Sequence, residues 1–571
     1  MFLFRKNDDG TLGAFGFVSQ NLNWLLTIRD PPALTREGGQ TLKTINLKAW
    51  IGGLVALAFT TIAPSSLAAE SAEEIIGSTC VGCHASEGDQ QWSRISHQRK
   101  TPEGWLMTIA RMQVMHGLQI EEEDRRTLVK YFADNQGLAP SETHGVRYAL
   151  ERRLNTMESF ESQQFEEMCA RCHSGARVEL QRRTAQEWEH LVHFHLGQWP
   201  TTEYQSLGRD RDWFEIALEE MVPQLAETLP LDSDAWKEWQ QQPEHSVAGD
   251  WTLAGHMPGR GSFHARMAVS EAEGKDQYEI ALEGEYADGK PIKGEGRAIV
   301  YTGFEWRANL EIDGENMRQV FALRDNQLQG RMFYRDHDEV GADVVAARDG
   351  SESSRILALQ PAYVKAGSEA EIDIVGADLQ GAPELGDGIE LVEVIEESDS
   401  LIRIRIRAAA GESGNKNLSV GAAQSKGLVV YDQIAQVKVV PDYAVARVGG
   451  NGGSTPKVEA RFEAEAWAAG QDGKVGTDDD YRIGFVPATW SVEPFNEVAK
   501  ADDDVRFAGN MDSATGVFTP AGAGPNPERR MMTNNAGNLI VKAEVKDGDR
   551  TLDAEGHMIV TVQRWNNPPI P

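Results

Sequence analysis

Cysteine is nearly absent from this chain: 571 residues hold only Cys80, Cys83, Cys169 and Cys172. So few exclude the disulfide-dense scaffold of a small secreted domain. Positive charge is scarce too, with 56 Lys+Arg against 88 Asp+Glu and a net charge of −32. Nucleic acid and anionic membrane surfaces need basic patches, so neither is expected as a partner. Long apolar runs are missing: the longest, from Ala49 to Ala63, falls short of the roughly 20 residues that span a bilayer. There is no Gly-x-Ser-x-Gly, His-Glu-x-x-His or Walker sequence, which removes the usual footholds for serine hydrolysis, zinc proteolysis and phosphoryl transfer. A hydrophobic fraction of 40% and an aromatic fraction of 8% still belong to a folded protein, and the length implies several domains of about 150 residues each.

The four cysteines are fully accounted for by two pentapeptides, Cys80-Val81-Gly82-Cys83-His84 and Cys169-Ala170-Arg171-Cys172-His173. Cys-x-x-Cys-His is the attachment signature of c-type haem. Its two thiols share one turn and can add to the two vinyl groups of a haem, and the next residue, His84 or His173, is placed to ligate the iron. A zinc site would bring its second cysteine pair within roughly 15–20 residues, and these pairs lie much farther apart. A thioredoxin-like dithiol would not explain a histidine after both pairs. The expectation is two covalent c-type haems, and electron transfer or haem redox chemistry.

The N-terminus reads as an export signal, with Lys43 and Lys48 before the apolar run and Ser66-Leu67-Ala68-Ala69 as a cleavage region. The stretch before Lys43 is long for a signal, and no methionine intervenes between Met1 and Met107, so translation could start near Leu42. Covalent haem attachment occurs outside the bacterial cytoplasm, and a periplasmic location follows. Residues 1–69 are set aside as leader. Residues 70–245 read as helical, two cytochrome c-like units in tandem. From there the pattern turns to β: a barrel or meander over 246–352, then immunoglobulin-like sandwiches over 353–441 and 442–571. Alternation is clear at Tyr278, Ile280 and Leu282, at Ala370, Ile372 and Ile374, at Val458 through Ala466, and at Leu539 through Val545. The expected fold class is an all-α tandem dihaem cytochrome c domain followed by three antiparallel β domains.

A low-spin haem needs a second axial ligand, usually Met or His. Aligning the halves suggests one for each: Trp105 is followed seven residues later by Met112, and Trp188 seven residues later by His195. Thr101 and Thr184 suit helix N-caps, with Pro102 at a first helical position and Glu187 completing a capping box. The axial pairs are then His84/Met112 and His173/His195, with Trp105 and Trp188 packing on the haem edges. Met115, His116, His190 and His193 compete. Thioether ligation raises a haem's potential relative to imidazole, so electrons should leave from the first haem. The acidic stretches Asp472–Asp480 and Asp502-Asp503-Asp504 lack the order of a calcium loop and read as solvated turns.

A tandem haem segment followed by three β blocks resembles the α subunit of quinohemoprotein amine dehydrogenase, over essentially the whole chain after the leader. The resemblance implies a heterotrimer with a β-propeller subunit and a small subunit bearing a cysteine tryptophylquinone. In such a complex the quinone oxidises a primary amine and this chain carries the electrons to a soluble cupredoxin or cytochrome c. With every cysteine committed to haem, the quinone must lie on a partner, so no catalytic residue is assigned here and the chain counts as the haem-bearing subunit of the enzyme. Two rivals come from other classes. A dihaem peroxidase, or another periplasmic haem electron-transfer subunit, would not need three β domains, and a peroxidase would need an open distal haem face. In a secreted β-domain scaffold with an accessory haem segment, the β domains would bind a partner, a role that many folds of this kind take.

Overall fold

The structure, a computed structural model, describes residues 3–6, 12–15, 71–154, 156–200, 202, 211–243, 246–351, 354–451 and 456–562. The expected leader lies outside the described residues except for two short strands, Leu3–Lys6 and Leu12–Phe15, which pair antiparallel. No described helix is long and apolar enough to cross a membrane.

The chain divides into two compact units: residues 1–95 with 106–131, and residues 96–105 with 132–571. In the first, a helix at Ala72–Ile75 leads into the first Cys-x-x-Cys-His turn, and Ser86–Gly88 pairs with Gln91–Trp92. This unit also holds most of two longer helices, Pro102–His116 and Glu122–Asn135. The second of these carries Glu122, Glu123 and Asp124 in its first turn, where negative charge complements the helix dipole.

The second unit is dominated by strands. Eight of them, from Gly249–Met257 to Gly341–Arg348, run up and down in sequence order and close when the last pairs with the first, Asp343 opposite His256 and Arg348 opposite Trp251. Alternation explains the closure: Tyr278, Ile280 and Leu282 point into a core shared with Trp251, Phe263, Trp306 and Phe321, while the intervening residues face out. Gly284 permits close strand approach, since a Cβ there would lie 2.1 Å from the His264 carbonyl oxygen. After the barrel come two four-stranded sheets whose inner faces share a core of Ile372, Ile374, Ile404, Leu418, Leu428 and Val430. The last block packs Ala464, Ala466, Leu539, Val541, Ala543 and Val560 together.

Two parts of the expected fold class are overturned. The structure has about 23% helix and 43% strand, and the described residues form no large all-α dihaem domain. Apart from Pro102–His116, Glu122–Asn135 and Ala185–Gln198, the described helices of the haem-motif region are short, and strand Gln98–Lys100 pairs with Gln181–Arg183, so the region is mixed. Three-residue strands carry too little periodicity to be recognised in sequence. The later β blocks are not purely antiparallel either: Tyr363–Lys365 runs parallel to Ala423–Tyr431, and Tyr443–Arg447 parallel to Arg550–Thr561.

The small strand pair joins the starts of the two candidate ligand helices, which follow it at Pro102 and Ala185. At its centre Arg99 lies opposite Arg182. Like charges so close need a counter-charge, and Glu142 supplies it. Its carboxylate accepts from Arg99 Nη1 at 2.9 Å, Arg99 Nη2 at 3.0 Å, Arg182 Nε at 3.0 Å and the Ser233 hydroxyl at 2.9 Å. Burial alone would raise the Glu142 pKa, but hydrogen bonds from Arg99 and the charge of Arg182 hold it below the ordinary value.

Candidate haem sites

The first motif follows a capping box: Ser71 Oγ accepts from Glu74 N–H, and Glu74 Oε2 accepts from Ser71 N–H. The helix then widens into a π turn over Ile76–Cys80, a feature frequent at functional sites. Beyond it the chain tightens, and the N–H groups of Cys83 and His84 both donate to the Cys80 carbonyl, at 3.1 and 3.0 Å. Both thiols and the imidazole are thereby gathered on one turn. His84 Nδ1 lies 2.8 Å from the Ser93 carbonyl oxygen. A carbonyl only accepts, so Nδ1 carries the proton and Nε2 keeps its lone pair. Val81, Gly82 and Cys83 are exposed. Met112 is half-buried, whereas its competitors Met115 and His116 are exposed; no hydrogen bond, ion pair or ring contact joins Met112 to His84 among the described residues.

The second motif repeats the plan. Ser162 caps a short helix by accepting from Phe165 N–H at 3.1 Å, and a π turn covers Glu166–Ala170. His173 Nδ1 is turned to the Ser174 carbonyl at 2.9 Å. His195 Nδ1 is turned to the Leu191 carbonyl at 2.8 Å, so in both rings Nδ1 is the nitrogen that carries the proton. The ring centroids of His173 and His195 lie 6.4 Å apart. A metal between two imidazoles needs two bonds of about 2 Å plus two ring radii of about 1.1 Å, just over 6 Å in all. The spacing therefore fits one iron. Burial, then the charge of Arg177, holds His173 down at about 4, which keeps the imidazole neutral as ligation requires.

The competing histidines are engaged elsewhere. His190 Nδ1 is 3.0 Å from Glu187 Oε1; His193 is exposed, 3.8 Å from Glu189, with its ring edge-on to Phe214. Thr184 caps its helix as expected, accepting from Glu187 N–H at 3.3 Å, but Glu187 does not close the box because it faces Arg183 and His190 instead. The two tryptophans occupy matching places. Trp105 stacks on Phe132 with centroids 4.8 Å apart and donates to the Gln136 carbonyl at 3.0 Å; Trp188 packs with Met168, Val192 and Met221, in a cluster that includes Cys169 at its margin. Lys100 lies over the first ring and Arg183 over the second.

Burial pushes the Cys169 thiol up to about 12, and burial followed by the neighbouring Cys83 raises Cys80. A redox dithiol needs the opposite shift. Among the described residues no group of three or more His, Cys, Asp or Glu could hold a metal ion.

Two residues at the second site escaped the sequence reading. Trp213 sits beside the His195 ring, centroids 5.9 Å apart, and donates to the Met168 carbonyl at 3.0 Å. Glu158 ties down the loop after His173. It accepts from Tyr148 OH at 2.7 Å, Ser174 Oγ at 2.5 Å, Gly175 N–H at 3.0 Å and Ala176 N–H at 3.2 Å. No motif marks either position, because both act through contacts distant in sequence. Glu158→Ala should strand several donors at once and cost about 2–4 kcal/mol, given roughly 1–3 kcal/mol for each unsatisfied buried group. Chemical denaturation monitored by tryptophan fluorescence would measure it; a loss under 1 kcal/mol would show that water replaces the carboxylate.

Comparison with known proteins agrees with this picture. Residues 70–236 match the family model "Quinohemoprotein amine dehydrogenase A, alpha subunit, haem binding". Residues 244–349, 353–432 and 437–570 match domains II, III and IV of the same subunit. No curated protein matches the chain. Among solved structures it is similar to a redesigned β-barrel, at 14% identity over 18% of this chain and 91% of that one with a TM-score of 0.17. It is also similar to the cadherin-like domains 1 to 4 of zebrafish RET, at 8% identity over 55% and 66% with a TM-score of 0.16. The haem-binding model over the paired Cys-x-x-Cys-His turns and the three further domain models carry the assignment: this chain belongs to the family of quinohemoprotein amine dehydrogenase α subunits.

Proposed function

We propose that this chain is the electron-carrying subunit of a periplasmic amine dehydrogenase and bears two covalent c-type haems. Cys80 and Cys83 would hold the first, with His84 and Met112 as axial ligands. Cys169 and Cys172 would hold the second, between His173 and His195. The observation that carries the reading is the 6.4 Å separation of the His173 and His195 rings, both anchored through Nδ1. Each haem, when bound, supplies one-electron redox chemistry.

The protein's own part is to hold, orient and shield. The carbonyls of Ser93, Ser174 and Leu191 fix the tautomer and ring direction of the three histidines, the usual second-shell device for a metal ligand. At the second site Ala170 is buried and Cys169, Cys172 and His173 are part-buried, whereas Val81 and Cys83 of the first are exposed. That difference suits entry of electrons at the second site from a tryptophylquinone on a partner subunit. They would leave at the first, where Met112 raises the potential, to a soluble cupredoxin or cytochrome c. With no cysteine outside the haem motifs, the amine-oxidising cofactor would lie on the small subunit of a complex that also contains a β-propeller.

The test is purification from native periplasm without denaturant, followed by gel analysis with haem and quinone staining. A haem-positive large band, a propeller-sized band and a small quinone-positive band are expected. A haem-positive band alone, free of quinone and turning over peroxide, would move the protein to the dihaem peroxidases.

A further inference from the structure

Strand Ile389–Glu397 is the outer strand of its sheet. It pairs on one side with Leu401–Ala408, and no described strand pairs with its other side. Two β-bulges interrupt the pairing, between Leu391 and Glu393 and between Val394 and Glu396. They convert the three-residue spacing of Glu390, Glu393 and Glu396 into the two-residue spacing of Arg407, Arg405 and Arg403, to which these glutamates bind at 3.0, 2.6 and 3.1 Å. Val392 and Ile395 are the extra residues of the bulges. With Val394 between them they are exposed by 39%, 40% and 40%.

Proteins usually blunt a free edge with bulges and unpaired charge. Here the bulges are present, but arginines occupy the glutamates and apolar side chains line the edge. Unpaired backbone groups beside an apolar strip are what strand addition by another chain requires. The electrostatics narrow the occupant. Arg403, Arg405 and Arg407 face seven carboxylates: Glu285, Glu369, Glu371, Asp373, Glu390, Glu393 and Glu396. The ladder is thus left with an excess of four negative charges. A second copy of this chain would bring the same excess to the same place, and like charges opposed at an interface are unfavourable.

We propose that the Ile389–Glu397 edge is a docking site for an extended segment of a partner subunit, one that presents lysine or arginine beside apolar residues. The inference rests on the proposed amine dehydrogenase complex only in requiring that partner subunits exist.

The test uses the complex purified from native-like expression, with the double substitution Val392→Lys/Ile395→Lys, which removes the apolar strip and sets positive charge against the basic segment. Both positions are exposed, so the chain should keep its haem stain and thermal transition while association with the partner subunits weakens roughly tenfold or more. An undiminished complex would overturn the proposal. Hydrogen exchange on the unaltered protein gives a second reading: amides of 389–397 should exchange more slowly in the complex than in the isolated chain, and equal rates would sink the idea. An isolated chain that sediments as a dimer, split by the double substitution, would assign the edge to self-association and overturn the partner segment. Absence of any co-purifying subunit would bring down the complex itself, whereas a complex that survives the substitution brings down the edge alone.

Discussion

On the proposed ligation, replacing His195 with alanine should leave both haems covalently attached and turn the second from low-spin to high-spin. The thioether bonds and the proximal His173 are untouched, so haem staining should keep its full intensity. The opposing imidazole, whose ring lies 6.4 Å from that of His173 in the native protein, is what disappears. Electron flow from a reduced amine-oxidising partner to an external acceptor should fall roughly 10–100-fold, on the scale of other disturbances to a metal's ligand set. Absorption and electron paramagnetic resonance spectra measure the spin state directly. The controls are His190→Ala and His193→Ala, which should keep the low-spin signature because those rings face Glu187 and Glu189. A high-spin His190→Ala protein beside a low-spin His195→Ala protein would reassign the ligand.

Arg307→Met should destabilise the second unit by about 3–5 kcal/mol, the range for breaking a buried ion pair by removing one partner. Arg307 is buried and bonds Glu103 Oε1 at 2.6 Å and Glu305 Oε2 at 2.8 Å. Glu305 in turn holds Arg147 at 2.7 Å. The network fastens the first turn of helix Pro102–His116 to the barrel, and losing Arg307 takes the ion-pair partner from Glu103 and leaves Glu305 with Arg147 alone. Acid titration gives an independent signature. Burial alone would raise Glu103, but the Arg307 charge brings it down to about 2 from an ordinary 4.5. A depressed carboxylate contributes stability that is complete above pH 4.5 and is lost as pH falls from there through about 2. The native protein should therefore show acid destabilisation in that window. In Arg307→Met the Glu103 pKa should rise, and this contribution should vanish. Denaturant midpoints at pH 7 and pH 3 would measure both effects; an unchanged midpoint at pH 7 would show that the network adds little net stability.

What could be read from the sequence was the chemistry written in short range. Cys-x-x-Cys-His places two thiols and an imidazole on one turn whatever surrounds it, since five consecutive residues suffice. Strand alternation at Tyr278–Leu282 and Leu539–Val545 was equally plain, because a side-chain period of two follows from backbone geometry alone. The repeat singled out His195 as a candidate, by the same offset from Trp188 as Met112 has from Trp105, and folding sets its ring 6.4 Å from that of His173. Tertiary structure decided what depends on residues far apart in the chain. It paired Gln98–Lys100 with Gln181–Arg183, segments too short for any periodic signal, and so replaced an expected all-α domain by a mixed one. It closed the barrel by setting Asp343 opposite His256. It also brought Glu158 to the loop after His173 and left the Ile389–Glu397 edge open. Local covalent chemistry and strand period are properties of neighbouring residues, whereas registers, counter-charges and free edges exist only once the chain has folded back on itself.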